Sequence, residues 1–270
     1  MTGTGRIASV GAGLVVLLLH GIACGGLIAY YPLNGDGSDA GPNGLDAVVL
    51  HNVTPATDRF GNPGGALEFN GVDSYIELPA NSLFLPHTSP GGVIRISAWV
   101  KVLGFGTDSH IQPRQPVVSL GFYGNGWSYA MYVVDPSASP AYGQPQSWGS
   151  SIWQKNGSGH SEITGPANSV QLNQWTFVEI EYKYKEFNRV WVNGVLVAEQ
   201  TSGFVGEPGD TTPLIGPWIG ARRDGQYLRA VIDDVRFYNH PTPEPVTVVL
   251  WGLGAAATVA SKRLFVRAGS

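Results

Sequence analysis

Apolar and polar residues alternate with a period of two along much of this chain, and that period predicts strands rather than helices. Ile94-Arg95-Ile96-Ser97-Ala98-Trp99-Val100-Lys101 and Gln174-Trp175-Thr176-Phe177-Val178-Glu179-Ile180-Glu181-Tyr182-Lys183 both read this way. Arg189–Ala198 reads as a hairpin, with Asn193-Gly194 at the tip supplying the positive φ angles a two-residue turn needs. Thr57–Pro79 reads as turn, strand, tight turn, strand, with Asn70-Gly71 fitting a second hairpin turn. Leu27–Leu33, Val117–Leu120 and Tyr129–Val134 add further strands. In Ile232-Asp233-Asp234-Val235-Arg236-Phe237-Tyr238-Asn239, strict alternation places Ile232, Asp234, Arg236 and Tyr238 on one face and Asp233, Val235, Phe237 and Asn239 on the other.

Two neighbouring carboxylates in an otherwise apolar strand are costly to bury unless positive charge meets them. From the residues alone, the partner is a bound calcium ion or Arg236, or else the pair sits at a solvated strand end. A second feature bears on the choice. Asn34-Gly35-Asp36-Gly37-Ser38-Asp39-Ala40-Gly41-Pro42-Asn43-Gly44 is dense in residues that form left-handed turns and offer oxygen ligands to hard cations. It lacks the EF-hand's glutamate and flanking helices, and an ordinary surface loop has the same composition.

Composition narrows the class. Gly 37, Pro 19 and only 13% charged residues suit a turn-rich all-β protein and not long helices. A net charge of −4, with no basic cluster inside the strand-rich region, argues against a nucleic-acid partner. With one cysteine, Cys24, an internal disulfide is impossible.

The ends differ from the middle. Residues 1–23 carry Arg6, an apolar stretch centred on Val15–Leu19, and Gly21-Ile22-Ala23, the layout of a secretory signal peptide cut after Ala23. Cys24 follows directly; lipidation is an option, although Gly21 stands where a lipobox has leucine. Residues 241–270 contain Pro243-Glu244-Pro245, the apolar run Val246–Ala260, then Lys262, Arg263 and Arg267. That run is short for a free-standing membrane span. Between the ends, residues 24–240 form one expected domain, long enough for a sandwich with a substantial core.

The ordered motifs of residues 27–239 resemble the laminin-G-like domains of the concanavalin A-like lectin/glucanase superfamily. The most specific stretch is Asp58-Arg59-Phe60-Gly61-Asn62, continuing through Ala66, Phe69-Asn70-Gly71-Val72-Asp73 and Tyr75-Ile76 to Pro79. Ile94–Lys101, Trp175–Tyr182, Val190–Val197 and Ile232–Asn239 follow in the family's order, and Asn34, Gly35, Asp39, Gly41, Asn43 and Gly44 keep the frame of its first loop. The resemblance implies a jelly-roll β-sandwich. It also implies that Phe69, Tyr75, Trp99, Trp175 and Val192 point into the core. It places the first and last strands side by side, with a structural calcium held by Asn34, Asp39, Asn43, Gly44 and Asp233, or by Asp234 if the faces are reversed. The C-terminal segment is similar to the bacterial PEP-CTERM sorting tail, which an exosortase removes at the membrane after transient anchoring. A secreted or cell-surface, non-catalytic binding or adhesion domain follows, with polysaccharide or a cell-surface glycan as the expected ligand.

The rival classes are a glycoside hydrolase on the same fold and a structural matrix protein that binds nothing specific. Hydrolysis needs a pair of placed carboxylates. Glu179 and Glu181 share one face of a strand, but laminarinase-type relatives use E-x-D-x-x-E, and no matching third acid follows Glu181. No G-x-S-x-G elbow and no H-E-x-x-H zinc helix occurs. Gly252-Leu253-Gly254-Ala255-Ala256-Ala257 resembles a dinucleotide fingerprint in letters only, since it lies in the apolar tail and not after a strand. The aromatics of residues 103–170, Trp148 and Trp153 among them, suit either sugar stacking or core filling.

Overall fold

A computed structural model describes residues 26–86, 92–105, 113–121, 129–137, 143–153, 160–203 and 215–241. The expected signal peptide, Cys24 and nearly all of the expected sorting tail lie outside them.

The strands, in order, are β1 (Leu27–Tyr31), β2 (Val49–His51), β3 (Thr54–Ala56), β4 (Ala66–Asn70), β5 (Tyr75–Glu77), β6 (Val93–Gly104), β7 (Arg114–Leu120), β8 (Tyr129–Val134) and β9 (Trp148–Trp153). They continue as β10 (His160–Thr164), β11 (Trp175–Lys183), β12 (Phe187–Val192), β13 (Val195–Gln200), β14 (Trp218–Ile219), β15 (Ala221–Arg222), β16 (Gln226–Tyr227) and β17 (Arg229–Tyr238). One sheet runs β13-β12-β11-β6-β17-β4-β3, with β1 also paired to β17. The facing sheet runs β10-β9-β8-β7-β14-β5-β2. The pairings are antiparallel throughout, and the two sheets form the expected all-β jelly-roll sandwich.

Alternation explains how each strand serves the core. In β6, Ile94, Ile96, Ala98, Val100 and Val102 are sealed inside, while Arg95, Trp99 and Lys101 face out from the sandwich. In β11, Val178, Ile180 and Tyr182 point in, and Trp175, Phe177 and Glu179 point out. Phe69 is fully buried and Val192 packs against the core, as expected. Trp99, Trp175 and Tyr75 do not. Trp99 and Trp175 share a face with Arg95 and Lys101, and Tyr75 stacks on Trp218 at 3.9 Å on the outer face of the second sheet. The family resemblance implied a core role, but strand parity puts them opposite the aliphatic residues. Trp148 fills the core, whereas Trp153 stacks on His160 at 4.4 Å.

The two Asn-Gly turns expected to close hairpins differ. Asn193 and Gly194 have φ of 49° and 78°, and they close the β12–β13 hairpin as the sequence predicts. Asn70-Gly71 instead ends β4 in one sheet and leads to β5 in the other. Gly71 does adopt positive φ, 75°, but the turn is an arch between sheets. The Asn70 carboxamide oxygen accepts from the backbone N–H groups of Val72, Asp73 and Ser74, which fixes the arch.

The last strand breaks its own alternation. Asp233 pairs with Trp99 and Arg236 with Ser97, so the bulge takes up an extra residue between them. Asp234 sits at φ 56°, a left-handed conformation that aspartate tolerates better than most residues. Val235 and Phe237 return to the core. The expected parity of Ile232–Asn239 is therefore corrected: Ile232, Val235 and Phe237 face inward.

Candidate functional site

The β17 bulge brings Asp233 and Asp234 to one cleft. Asp58–Asn62 supplies the opposite wall. The Asp58 carboxylate accepts from the backbone N–H groups of Phe60 and Asn62, both at 2.8 Å, and from the Asn62 side-chain amide at 2.8 Å. Gly61 N–H also donates to the Asp58 carbonyl at 3.3 Å. This closed turn turns Arg59 inward and leaves Phe60 74% exposed.

Arg59 bridges the carboxylates. Its Nη1 donates to Asp233 Oδ2, and its Nη2 to Asp234 Oδ2 at 2.5 Å. A planar guanidinium suits two carboxylates at once in a way an ammonium does not. The Tyr30 hydroxyl donates to Asp234 Oδ1, and Arg236 reaches the same oxygen at 3.2 Å. The Arg59 guanidinium lies 4.3 Å from the Phe60 ring centre and 5.2 Å from that of Trp99. The Arg236 guanidinium lies 4.1 Å from that of Tyr30.

Burial and the adjacent Asp234 charge push the Asp233 carboxyl up to about 6, with Arg59 pulling against them. Burial, followed by the hydrogen bond to Asp234, raises the Tyr30 hydroxyl above its ordinary value. Burial alone would lower the Arg59 guanidinium, but Asp234 and Asp233 together raise it. The cleft encloses about 440 Å³ between Tyr30, Asn34, Phe60, Asn62, Gly64 and the two aspartates.

Of the expected metal ligands, Asn34 and Asp233 meet in this cleft; Asp39, Asn43 and Gly44 do not line it. Asp39 Oδ1 accepts from the Tyr30 and Gly41 backbone N–H groups at 2.8 and 2.7 Å, and Oδ2 from Leu45 N–H at 2.8 Å. The Asn43 side chain donates to the Ile28 carbonyl at 2.7 Å. These groups hold the loop to β1, so the donor set fits calcium poorly. The positive charge that Asp233 and Asp234 require comes from Arg59, which meets both, and from Arg236, which reaches Asp234 as the sequence suggested. Among the described residues, no group of three or more His, Cys, Asp or Glu side chains is placed to hold a metal ion.

The sequence reading missed Arg59, Phe60 and the shared face of Asp233 and Asp234. The signal for Arg59 was present: paired carboxylates demanded a cation, and the Asp58–Asn62 motif contained one. The expected shared face of Glu179 and Glu181 does form, on the outside of the first sheet. Arg95 lies 3.8 Å from Glu179, and Arg189 3.8 Å from Glu181.

The sequence matches the laminin-G-like family of the concanavalin A-like lectin/glucanases superfamily over residues 70–245. The chain belongs to this family. No curated protein matches it at a significant level. The binding domain of Paraclostridial Mosquitocidal Protein 1 superposes with a TM-score of 0.59 at 14% identity, over 80% of this chain and 49% of that one. The binding domain of Botulinum Neurotoxin DC, solved in complex with SialylT, gives 0.56 at 12% identity, over 80% and 48%. Domain 4 of an extracellular arabinanase from Geobacillus stearothermophilus, solved in complex with arabinotriose, gives 0.53 at 18% identity, over 79% and 92%. These likenesses establish the fold. The chain spans about half the length of the two toxin binding domains.

Proposed function

We propose that this laminin-G-like chain is a non-catalytic glycan-binding module whose combining site is the Arg59 cleft. The observation that carries the reading is the cleft's make-up: an exposed aromatic ring, Phe60, beside fixed planar donors and acceptors in a space of about 440 Å³. Small-ligand sites of this size commonly pair an apolar face with a few convergent polar groups. A sugar offers the complement, an apolar C–H face and a rim of hydroxyls. The arabinotriose complex of the structurally similar arabinanase domain supports the same class of ligand.

Binding without hydrolysis agrees with where the acids lie. Asp233 and Asp234 are side by side on one guanidinium, and the Asp58 oxygens are committed to their own turn. A glycosidase needs two carboxylates on either side of the scissile bond. Glu179 and Glu181 are on the sheet's outer face beside arginines.

A glycan array probed with the purified protein tests the reading. Binding that falls at least tenfold in Phe60→Ala, with no release of reducing sugar from bound polysaccharides, is expected. Absence of binding across the array, or steady turnover, overturns it. The signal-like and PEP-CTERM-like ends support a location outside the cell for this activity. Intact mass from the native host should then show loss of residues beyond about Pro245; a main species retaining Trp251 and Phe265 would refute that processing.

A further inference from the structure

The outward face of the first sheet carries an unusual set of side chains. A solvated sheet face ordinarily shows polar residues alternating with the buried ones. Here β6, β11, β12 and β17 present Trp99, Trp175, Phe177, Trp191 and Tyr238, each half-buried and none sealed into the core. The registers fix their positions. Trp99 pairs with Phe177 on β11 and with Asp233 on β17. One step along, Glu179 pairs with both Ser97 and Trp191. Lys101 pairs with Trp175. An aromatic path thus crosses the sheet obliquely from Trp191 through Phe177 to Trp99, whose ring is 5.4 Å from that of Phe177. There it meets the Arg59 guanidinium and the cleft. Neighbouring strands lie about 4.8 Å apart, so the three steps from β12 to β17 span roughly 14 Å beyond the cleft.

Charge on this face is cancelled locally. Arg59 holds Asp233 and Asp234, Arg95 faces Glu179, Arg189 faces Glu181 and Glu199, and Arg236 reaches Asp234. Lys101 holds its ammonium 5.2 Å from the Trp175 ring centre, and the Arg95 guanidinium lies 3.8 Å from that of Tyr238. The face is therefore aromatic and rich in fixed hydrogen-bonding groups, without a block of one charge. That complements an uncharged polymer with apolar ring faces and hydroxyl edges, and it offers little to an acidic one.

We infer that the outer face of this sheet is an extended binding platform for a neutral polysaccharide, continuous with the cleft and laid across the strands from Phe60 towards Trp191. The inference rests on the glycan-binding reading of the cleft and adds the ligand's class, its direction and its length: a polymer, with the cleft gripping one part and the aromatic path the rest.

The test is calorimetry on wild type, Trp191→Ala, Phe177→Thr and Phe60→Ala. The probes are neutral polysaccharides (β-glucan, mannan, arabinan), their short oligomers, and polygalacturonate as the acidic control. Circular dichroism and melting check that each variant folds. The expected result is neutral-polymer binding weakened at least tenfold by Trp191→Ala and by Phe177→Thr, short-oligomer binding left intact by both, and both lost in Phe60→Ala. Platform variants that bind the polymer like wild type overturn the platform while leaving the cleft standing. Failure of wild type to bind any neutral glycan overturns both readings. A preference for polygalacturonate overturns the ligand class. Loss of self-association in Trp191→Ala, with glycan binding unchanged, makes the face a contact between copies of this chain and overturns the inference.

Discussion

The left-handed backbone at Asp234, φ 56°, turns two consecutive carboxylates to the same side of a strand. A non-glycine residue in that region costs about 1–2 kcal/mol, and Arg59, Tyr30 and Arg236 supply the contacts that offset it. Arg59→Ala would leave two buried carboxylates without their main cation. Breaking one side of such a buried pair costs about 3–5 kcal/mol, and urea denaturation should show a loss of that size. Arg59→Lys should recover little of it, because one ammonium cannot bridge both partners. The same residues predict a pH effect. Asp233 holds its proton up to about 6 in the folded chain, above the unfolded value of 3.8. Its contribution to stability is thus fully present below about pH 4 and is lost as pH rises through 6. Wild type should gain stability relative to Asp233→Asn as pH falls from 7 to 4, and the opposite slope in paired urea titrations would refute the assignment. The sequence revealed the need for a cation and offered Arg236, which does reach Asp234, but not the main partner, because Arg59 is 174 residues from Asp233 and only the folded sheet brings them together.

Strand existence was legible from alternation, and so was much of the facing. β6 and β11 show their aliphatic residues to the core in the order the pattern dictates. The errors arose where family-matching aromatic positions were weighed above parity, at Trp99 and Trp175, and where a bulge shifted parity within β17. Period-two reasoning fails after an inserted residue, and nothing in Asp233-Asp234 as letters announces a bulge. The Asn-Gly pairs teach the same lesson. Each specifies local positive φ, but whether the next strand joins the same sheet depends on where its apolar face is buried. Phe69→Ala and Trp99→Ala separate core from platform. Phe69 is fully enclosed, so truncation should cost about 3–5 kcal/mol. Trp99 lies on the outer face and should cost clearly less, with its main effect on ligand affinity. Equal losses for the two variants in urea melts would contradict this facing.

At the scale of the whole molecule, the first and last strands close the sandwich together. β1 pairs with β17 from Leu27↔Tyr238 to Tyr31↔Val235, as the family resemblance implied. What ties the 34–46 loop to this junction is a set of hydrogen bonds. Asp39 gathers three backbone N–H groups from Tyr30, Gly41 and Leu45, Asp46 accepts from Asp39 N–H, and Asn43 donates to the Ile28 carbonyl. A carboxylate accepting several backbone N–H groups fixes a loop much as a bound ion would. Calcium needs six to eight oxygens at about 2.3–2.6 Å. At Asp39 it would compete with those amides for the carboxylate's acceptor sites, and at Asp233 with Arg59. Thermal melting with calcium and with chelator should therefore coincide for wild type. Asp39→Ala should lower the melting temperature equally in both conditions, because it removes the loop's hydrogen-bond acceptor and not a metal ligand. A calcium-dependent rise in wild type that disappears in Asp39→Ala and in Asp233→Ala would show instead that an ion draws these residues together and that the amide-bonded loop is its metal-free form.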